Sequence, residues 1–205
     1  MPADTTEKGL ERLIMRYMTG VDGSSGEADM VGESVPHTAG SGWSAGRARA
    51  YDREFAVEVE QLFAFLNTRQ PEETAKLGIV DCRDKKNIAR QKFLARVQGE
   101  ISRRGTIDVL RNGIRHGALS VDLFYGTPSP ENRKAVERHA QNRFSITRQL
   151  ACSRDETRRA LDMCAFINGL PVITFELKNS LTKQTVDDAI EQYKQDRESI
   201  RIRML

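Results

Sequence analysis

The order of apolar patterns predicts a mixed α/β domain with helices packed on a sheet. Three observations support this. Apolar residues recur at helical spacing through about the first hundred residues. Short runs rich in β-branched and aromatic residues then take over, with one helical stretch between them. A last helical pattern closes the 205-residue chain. The length suits one domain, or one domain with an appended segment.

TTEKGLERLIMRYMTG, residues 5–20, predicts a helix capped by Thr5 or Thr6 and ended by Gly20, with Leu10, Leu13, Ile14 and Tyr17 as its apolar side. Residues 20–50 are rich in Gly, Ser and Ala without apolar periodicity and predict a flexible loop, with Trp43 as the place where it docks back. FAVEVEQLFAFLNTRQP predicts a second helix, stopped by Pro71. DKKNIARQKFLARVQGEISRRG predicts a third, with Ile88, Phe93, Leu94, Val97 and Ile101 as one stripe. TIDVLR and LSVDLFYG read as strands, SPENRKAVERHAQN as a capped helix, and RFSITRQLAC as a strand. Two strands follow, Leu161–Ile167 and Pro171–Leu177, and TVDDAIEQYKQDRESIR reads as the closing helix.

Composition narrows the function classes. The apolar fraction of 39% and the charged fraction of 30% describe a soluble, folded chain rather than a disordered one. A net charge of +3 does not by itself point to nucleic acid. Clustering is more informative, because Arg103–Arg115 and Arg143–Arg159 each hold several arginines. Solvated basic surface is the competing reading for each cluster. Cys82, Cys152 and Cys164 form an odd set without metal-ligand spacing, which argues against a disulfide framework or a zinc site. His37, His116 and His139 have no ligand spacing either. No apolar run approaches a membrane span and no secretory signal opens the chain, so the expected setting is cytoplasmic, with no membrane partner.

The most informative stretch is LDMCAFINGLPVITFELKNS, residues 161–180. Charges are rare in buried strands unless they are paired or bind a metal. Asp162 stands at the start of one strand, and Glu176 and Lys178 stand at the end of the next, on one face by the period of two. A tight turn at Asn168-Gly169 would bring the first strand's start to the second strand's end. Two readings stay open at this point. One is an ion pair of Lys178 with Glu176 or Asp162 at a sheet edge. The other is a divalent cation between two carboxylates, with the lysine orienting a water or stabilising a phosphate, which is chemistry for metal-assisted phosphodiester hydrolysis.

The segment LDMCAFINGLPVITFELKNSLTKQTVDDAIEQYKQDR resembles the nuclease region of the restriction (R) subunit of type I restriction–modification enzymes, which belongs to the PD-(D/E)xK superfamily. The stretches TEKGLERLI, YDRE, QKFLARVQGEISRRGTIDVLRNGI, DLFYGTPSPENRKAVE and QNRFSITRQL resemble the same family in the same order. The resemblance implies a restriction-endonuclease-like mixed sheet flanked by helices and a type I site-specific deoxyribonuclease acting on double-stranded DNA. It implies Asp162 and Glu176 as metal ligands, Lys178 as the catalytic lysine and Glu11 as an additional acidic residue supporting the metal. It also implies Gln192 as the glutamine that couples nuclease to DNA, although the family's Q-x-x-x-Y pattern is broken here by Asp196. For Glu11 the competing reading is an exposed helix charge, and for Gln192 polar surface. The implied cofactor is Mg²⁺, with Mn²⁺ able to substitute, and the implied partners are the methyltransferase and specificity subunits.

The chain also departs from the family. It contains no GxxxxGK[ST] motif, so ATP is expected to serve only a motor that this chain lacks. Its end, ESIRIRML, replaces the usual run into another core strand. The expected organisation is an N-terminal helix of the nuclease domain at 1–19, the loop at 20–50, and the remainder of the nuclease domain at 51–205. A competing function is a non-catalytic, truncated module that docks on the methyltransferase core or on DNA.

Overall fold

The computed structural model describes residues 6–21, 42–129, 131–151, 160–177 and 190. The expected mixed α/β class is what these residues form. Helices α1 (Glu7–Thr19), α2 (Val59–Arg69), α3 (Pro71–Lys76), α4 (Ile88–Arg104), α5 (Thr106–Asn112) and α6 (Arg133–Ala140) accompany eight strands. The strands are β1 (Ser44–Ala45), β2 (Tyr51–Asp52), β3 (Val57–Glu58), β4 (Ile114–His116), β5 (Leu119–Val121), β6 (Phe144–Ala151), β7 (Ala160–Ile167) and β8 (Leu170–Phe175). The main sheet has the order β1-β6-β7-β8. It is mixed, because β1 runs parallel to β6 while a two-residue turn joins β7 to β8. The pairs β2–β3 and β4–β5 are separate antiparallel ribbons.

The chain divides into two compact units. Among the described residues, one comprises 6–21, 42–49, 144–151, 160–166, 173–177 and 190 and holds a small core of Met15, Ile146, Met163 and Leu177, with Trp43 and Phe175 packed against it. Its helix α1 is capped as expected: the Thr6 hydroxyl accepts from Gly9 N at 3.1 Å, and Gly20 closes the helix at φ 77°. The buried stripe of α1 differs from expectation. Glu11, Met15 and Thr19 are buried at intervals of one turn, while Leu10, Leu13 and Tyr17 are exposed. Trp43 does dock: its ring lies 5.4 Å from that of Phe144, beside strand β1 in the stretch expected to be loop. Residues 22–41 of that stretch lie outside the described residues.

The other unit comprises, among the described residues, 50–129, 131–143 and 167–172. Its core is larger, with Leu62, Phe65, Leu66, Phe93, Leu94, Val97 and Leu123 fully buried. A buried ion pair crosses it, with Arg90 Nη2 2.5 Å from Asp52 Oδ2 and Arg90 Nε donating to Cys82 O. Burial, with Asp81 and Glu60 nearby, pushes the Cys82 thiol above its ordinary pKa, as suits an unreactive structural cysteine.

Two expected elements are corrected. TIDVLR is the helix α5 rather than a strand. Its β-branched residues suggest a strand, but Val109 and Leu110 are buried side by side, which a pleated strand would place on opposite faces. Arg104 fastens this helix to α4 by pairing with Glu100, Asp108 and the carbonyl of Gly113. The second helix starts at Val59 rather than at residue 55, because Val57–Glu58 pairs with Tyr51–Asp52. The expected stop at Pro71 holds: α2 ends at Arg69, two residues before it, and Pro71 then occupies the first turn of α3, where its missing N–H is harmless.

Candidate active site

The hairpin β7–β8 turns at Asn168 and Gly169, both with positive φ (50° and 82°). This is the backbone of the two-residue turn that Asn-Gly favours. Asn168 is fully buried and its polar atoms are all engaged. Its Nδ2 donates to Leu123 O at 2.8 Å and to Asn142 Oδ1 at 3.0 Å, and its Oδ1 accepts from Arg143 N at 2.7 Å. At Gly169 a Cβ would stand 2.4 Å from Glu58 O, so only glycine fits. The turn is thereby locked in place, and with it the pairing of the two strands.

Locking the turn brings the start of β7 to the end of β8. Asp162 Oδ2 accepts a hydrogen bond from the backbone N–H of Leu177 at 2.6 Å. The Asp162 carboxylate therefore lies one hydrogen bond from the backbone that carries Glu176. Both acids are half-buried. Their neighbours in sequence, Met163 and Leu177, are buried in the same small core and anchor each acid from behind. An ionised carboxylate accepts about four hydrogen bonds, so the one from Leu177 leaves Asp162 with acceptor capacity. Hard carboxylate oxygens suit Mg²⁺, which usually takes one or two of them and keeps several waters. By residue type, Asp162 and Glu176 match that preference. Among the described residues no group of three or more His, Cys, Asp or Glu side chains forms a fuller cage.

Glu11 is buried rather than an exposed helix charge. Gln149 Nε2 donates to its Oε1 at 2.5 Å, and Arg148 Nη1 lies 3.8 Å from its Oε2. Met15, one turn further along α1, packs in the core that contains Met163 and Leu177. Lys178 and Gln192 lie outside the described residues. Gln149, the partner of Glu11, has no sequence signal that would have singled it out, because the contact accompanies a backbone angle, φ 48°, that no residue type dictates.

The basic clusters divide into structural and exposed members. Arg104 is bound within the chain, and Arg143 donates from Nε to Gln61 at 2.5 Å. Arg103 hydrogen-bonds Glu100 at 2.7 Å yet keeps a 67% exposed side chain, and Arg111 and Arg115 are exposed as well. Glu100 is the hub of this region. Arg103, then Arg104 and Arg96, hold its carboxyl below the usual glutamate range against the opposing effect of burial.

The described residues define a mixed α/β protein in which a strand hairpin brings the carboxylate of Asp162 to the backbone that carries Glu176. The comparison with known families is more specific. The pattern of the type I restriction enzyme R protein N-terminal family matches residues 67–203, and this chain belongs to that family. The match spans Asp162, Glu176, Lys178 and Gln192, while Glu11 precedes it. Membership associates the chain with a nuclease-related role in a restriction–modification complex that acts on DNA. No curated protein and no solved structure matches the chain. No helix among the described residues is long and apolar enough to cross a membrane.

Proposed function

We propose that this chain is a Mg²⁺-dependent endonuclease module of a type I restriction enzyme R subunit, with a PD-(D/E)xK-type fold, that hydrolyses phosphodiester bonds of double-stranded DNA. The observation that carries this reading is the hydrogen bond from Leu177 N to Asp162 Oδ2, which joins Asp162 to the segment bearing Glu176. Family membership supports it independently.

In this reading Asp162 and Glu176 hold the cation. When bound, it supplies charge stabilisation at the scissile phosphate and makes water a better nucleophile at neutral pH. Leu177 N fixes the orientation of the Asp162 carboxylate. Lys178 orients the attacking water and stabilises negative charge on the phosphate. Glu11 supports the metal site from α1, and Gln192 couples the site to DNA. Exposed Arg103, Arg111 and Arg115 contribute contacts to DNA phosphates, which makes binding independent of sequence and sensitive to salt. Site recognition and methylation belong to the specificity and methyltransferase subunits of the complex, and ATP to its motor. The setting is cytoplasmic.

The test is plasmid nicking and linearisation with Mg²⁺ or Mn²⁺, comparing the chain with Glu176→Ala at equal concentration. The expected result is cutting by the wild type and its near-complete loss in the variant. Cutting retained by the variant would remove Glu176 from the site. No cutting by either protein, together with no effect of metal on melting temperature, would favour a non-catalytic module that docks on the methyltransferase core or on DNA.

A further inference from the structure

Gln149 lies near the end of β6 with φ 48°, a left-handed conformation uncommon for a residue other than glycine. In a regular strand, consecutive side chains point to opposite faces. Arg148 and Gln149 are consecutive, yet both reach the carboxylate of Glu11. Gln149 Nε2 donates to Oε1 at 2.5 Å, and Arg148 Nη1 stands 3.8 Å from Oε2. The left-handed residue is the break in the pleat that makes this convergence feasible, as irregularities in strands re-aim side chains. An unfavourable backbone held in place at a candidate site is a reason to look for function there.

Glu11 itself is buried on α1, one turn before Met15. Met15 packs in the core with Met163 and Leu177, the residues that directly follow Asp162 and Glu176. Glu11 does not join those two acids as a three-ligand set among the described residues. Each Glu11 oxygen faces one neighbour, Gln149 or Arg148, and keeps room for a further hydrogen bond, so the carboxylate can still accept from waters that a Mg²⁺ ion retains.

We infer that Arg148 and Gln149 are positioning residues: they clamp the Glu11 carboxylate in one orientation so that it supports the hydrated cation held by Asp162 and Glu176. This inference rests on the proposed metal site. Neither residue touches substrate in this account, and both act through Glu11.

The test reads Mn²⁺-induced thermal stabilisation of the full chain, without DNA and without turnover. Four variants are compared: Gln149→Gly, Glu11→Gln, their double variant, and Asp162→Ala. Glycine adopts positive φ freely, which offsets part of the cost of losing the hydrogen bond to buried Glu11, so Gln149→Gly is expected to stay folded with a modestly lower melting temperature without metal. With Mn²⁺ it is expected to show about tenfold or greater loss of apparent affinity, the usual scale for removing an outer-shell partner. Adding Gln149→Gly to Glu11→Gln is expected to cause no further loss, because the amide acts through that carboxylate. An unchanged affinity in Gln149→Gly would overturn the inference. So would a loss that adds fully to that of Glu11→Gln. A metal response absent from the wild type, or one that survives Asp162→Ala, would instead overturn the metal site on which the inference rests.

Discussion

The backbone amide of Leu177 donates to Oδ2 of Asp162 at 2.6 Å, across 15 positions of sequence. The bond caps the end of β8 and orients a carboxylate in a single contact. Structure and proposed chemistry therefore meet at one atom pair, and substitutions can separate them.

Asp162→Asn keeps a side-chain oxygen that can accept from Leu177 N but removes the charge. Its stability is expected to stay within about 0.5 kcal/mol of wild type. Its cleavage of plasmid DNA is expected to fall to background, because a neutral amide is a poor ligand for a hard cation. Asp162→Ala is expected to lose activity and also about 1–3 kcal/mol, because Leu177 N is left without its acceptor. Urea unfolding without metal, run beside the nicking assay, distinguishes the two variants. Wild-type cutting by Asp162→Asn would exclude the carboxylate from the chemistry.

The hairpin turn should be intolerant of change. Gly169→Ala places a Cβ 2.4 Å from Glu58 O at a position with φ 82°, which the backbone cannot relieve without moving β8. Asn168→Ala removes the acceptor of Arg143 N and the donor to Leu123 O from a fully buried position. Each substitution is expected to cost about 3 kcal/mol. Equilibrium denaturation measures this directly. A cost under about 1 kcal/mol would show that the turn does not lock the strands.

Acid should weaken the unit that contains Glu100. The folded pKa of this carboxyl is lowered, chiefly by its hydrogen bond from Arg103 and then by Arg104 and Arg96. A lowered folded value means that the unfolded chain binds the proton more readily. The stabilisation is therefore complete above the unfolded value, about 4.3, and disappears as the pH falls through the folded value. Wild type and Glu100→Gln should differ most near neutral pH and converge as the pH falls through the lowered folded value of Glu100. Thermal melts across this range provide the check, and a gap that widens in acid would contradict the sign.

Much of the chain was legible in its sequence. The capped first helix, the α4 stripe of Phe93, Leu94, Val97 and Ile101 (but not Ile88, which is exposed), the α6 helix and the Asn-Gly hairpin follow from local rules about capping, period and turn geometry. Those rules fail where tertiary contacts outweigh them. Thr106–Asn112 carries β-branched residues but folds as a helix, because Arg104 ties it to α4 and Val109 and Leu110 enter the core together. Helix α1 buries Glu11, Met15 and Thr19 instead of the more apolar Leu10, Leu13 and Tyr17. Hydrophobicity alone favours the opposite choice.

For the candidate site, the sequence by itself determined which chemistry-bearing residues are present and that a tight turn would bring Asp162 towards Glu176. Side-chain period and turn chemistry are local properties, so they can be read from a single stretch. Only the tertiary structure decided that Asp162 bonds the amide after Glu176, that Glu11 is buried, and that Gln149 leaves the regular strand to hold it. The Glu11–Gln149 contact joins residues 138 positions apart. It depends on how α1 packs against the strands and on a backbone angle, φ 48°, that no residue type dictates. Contacts of this range are set by the packing of whole elements, and no local pattern encodes them.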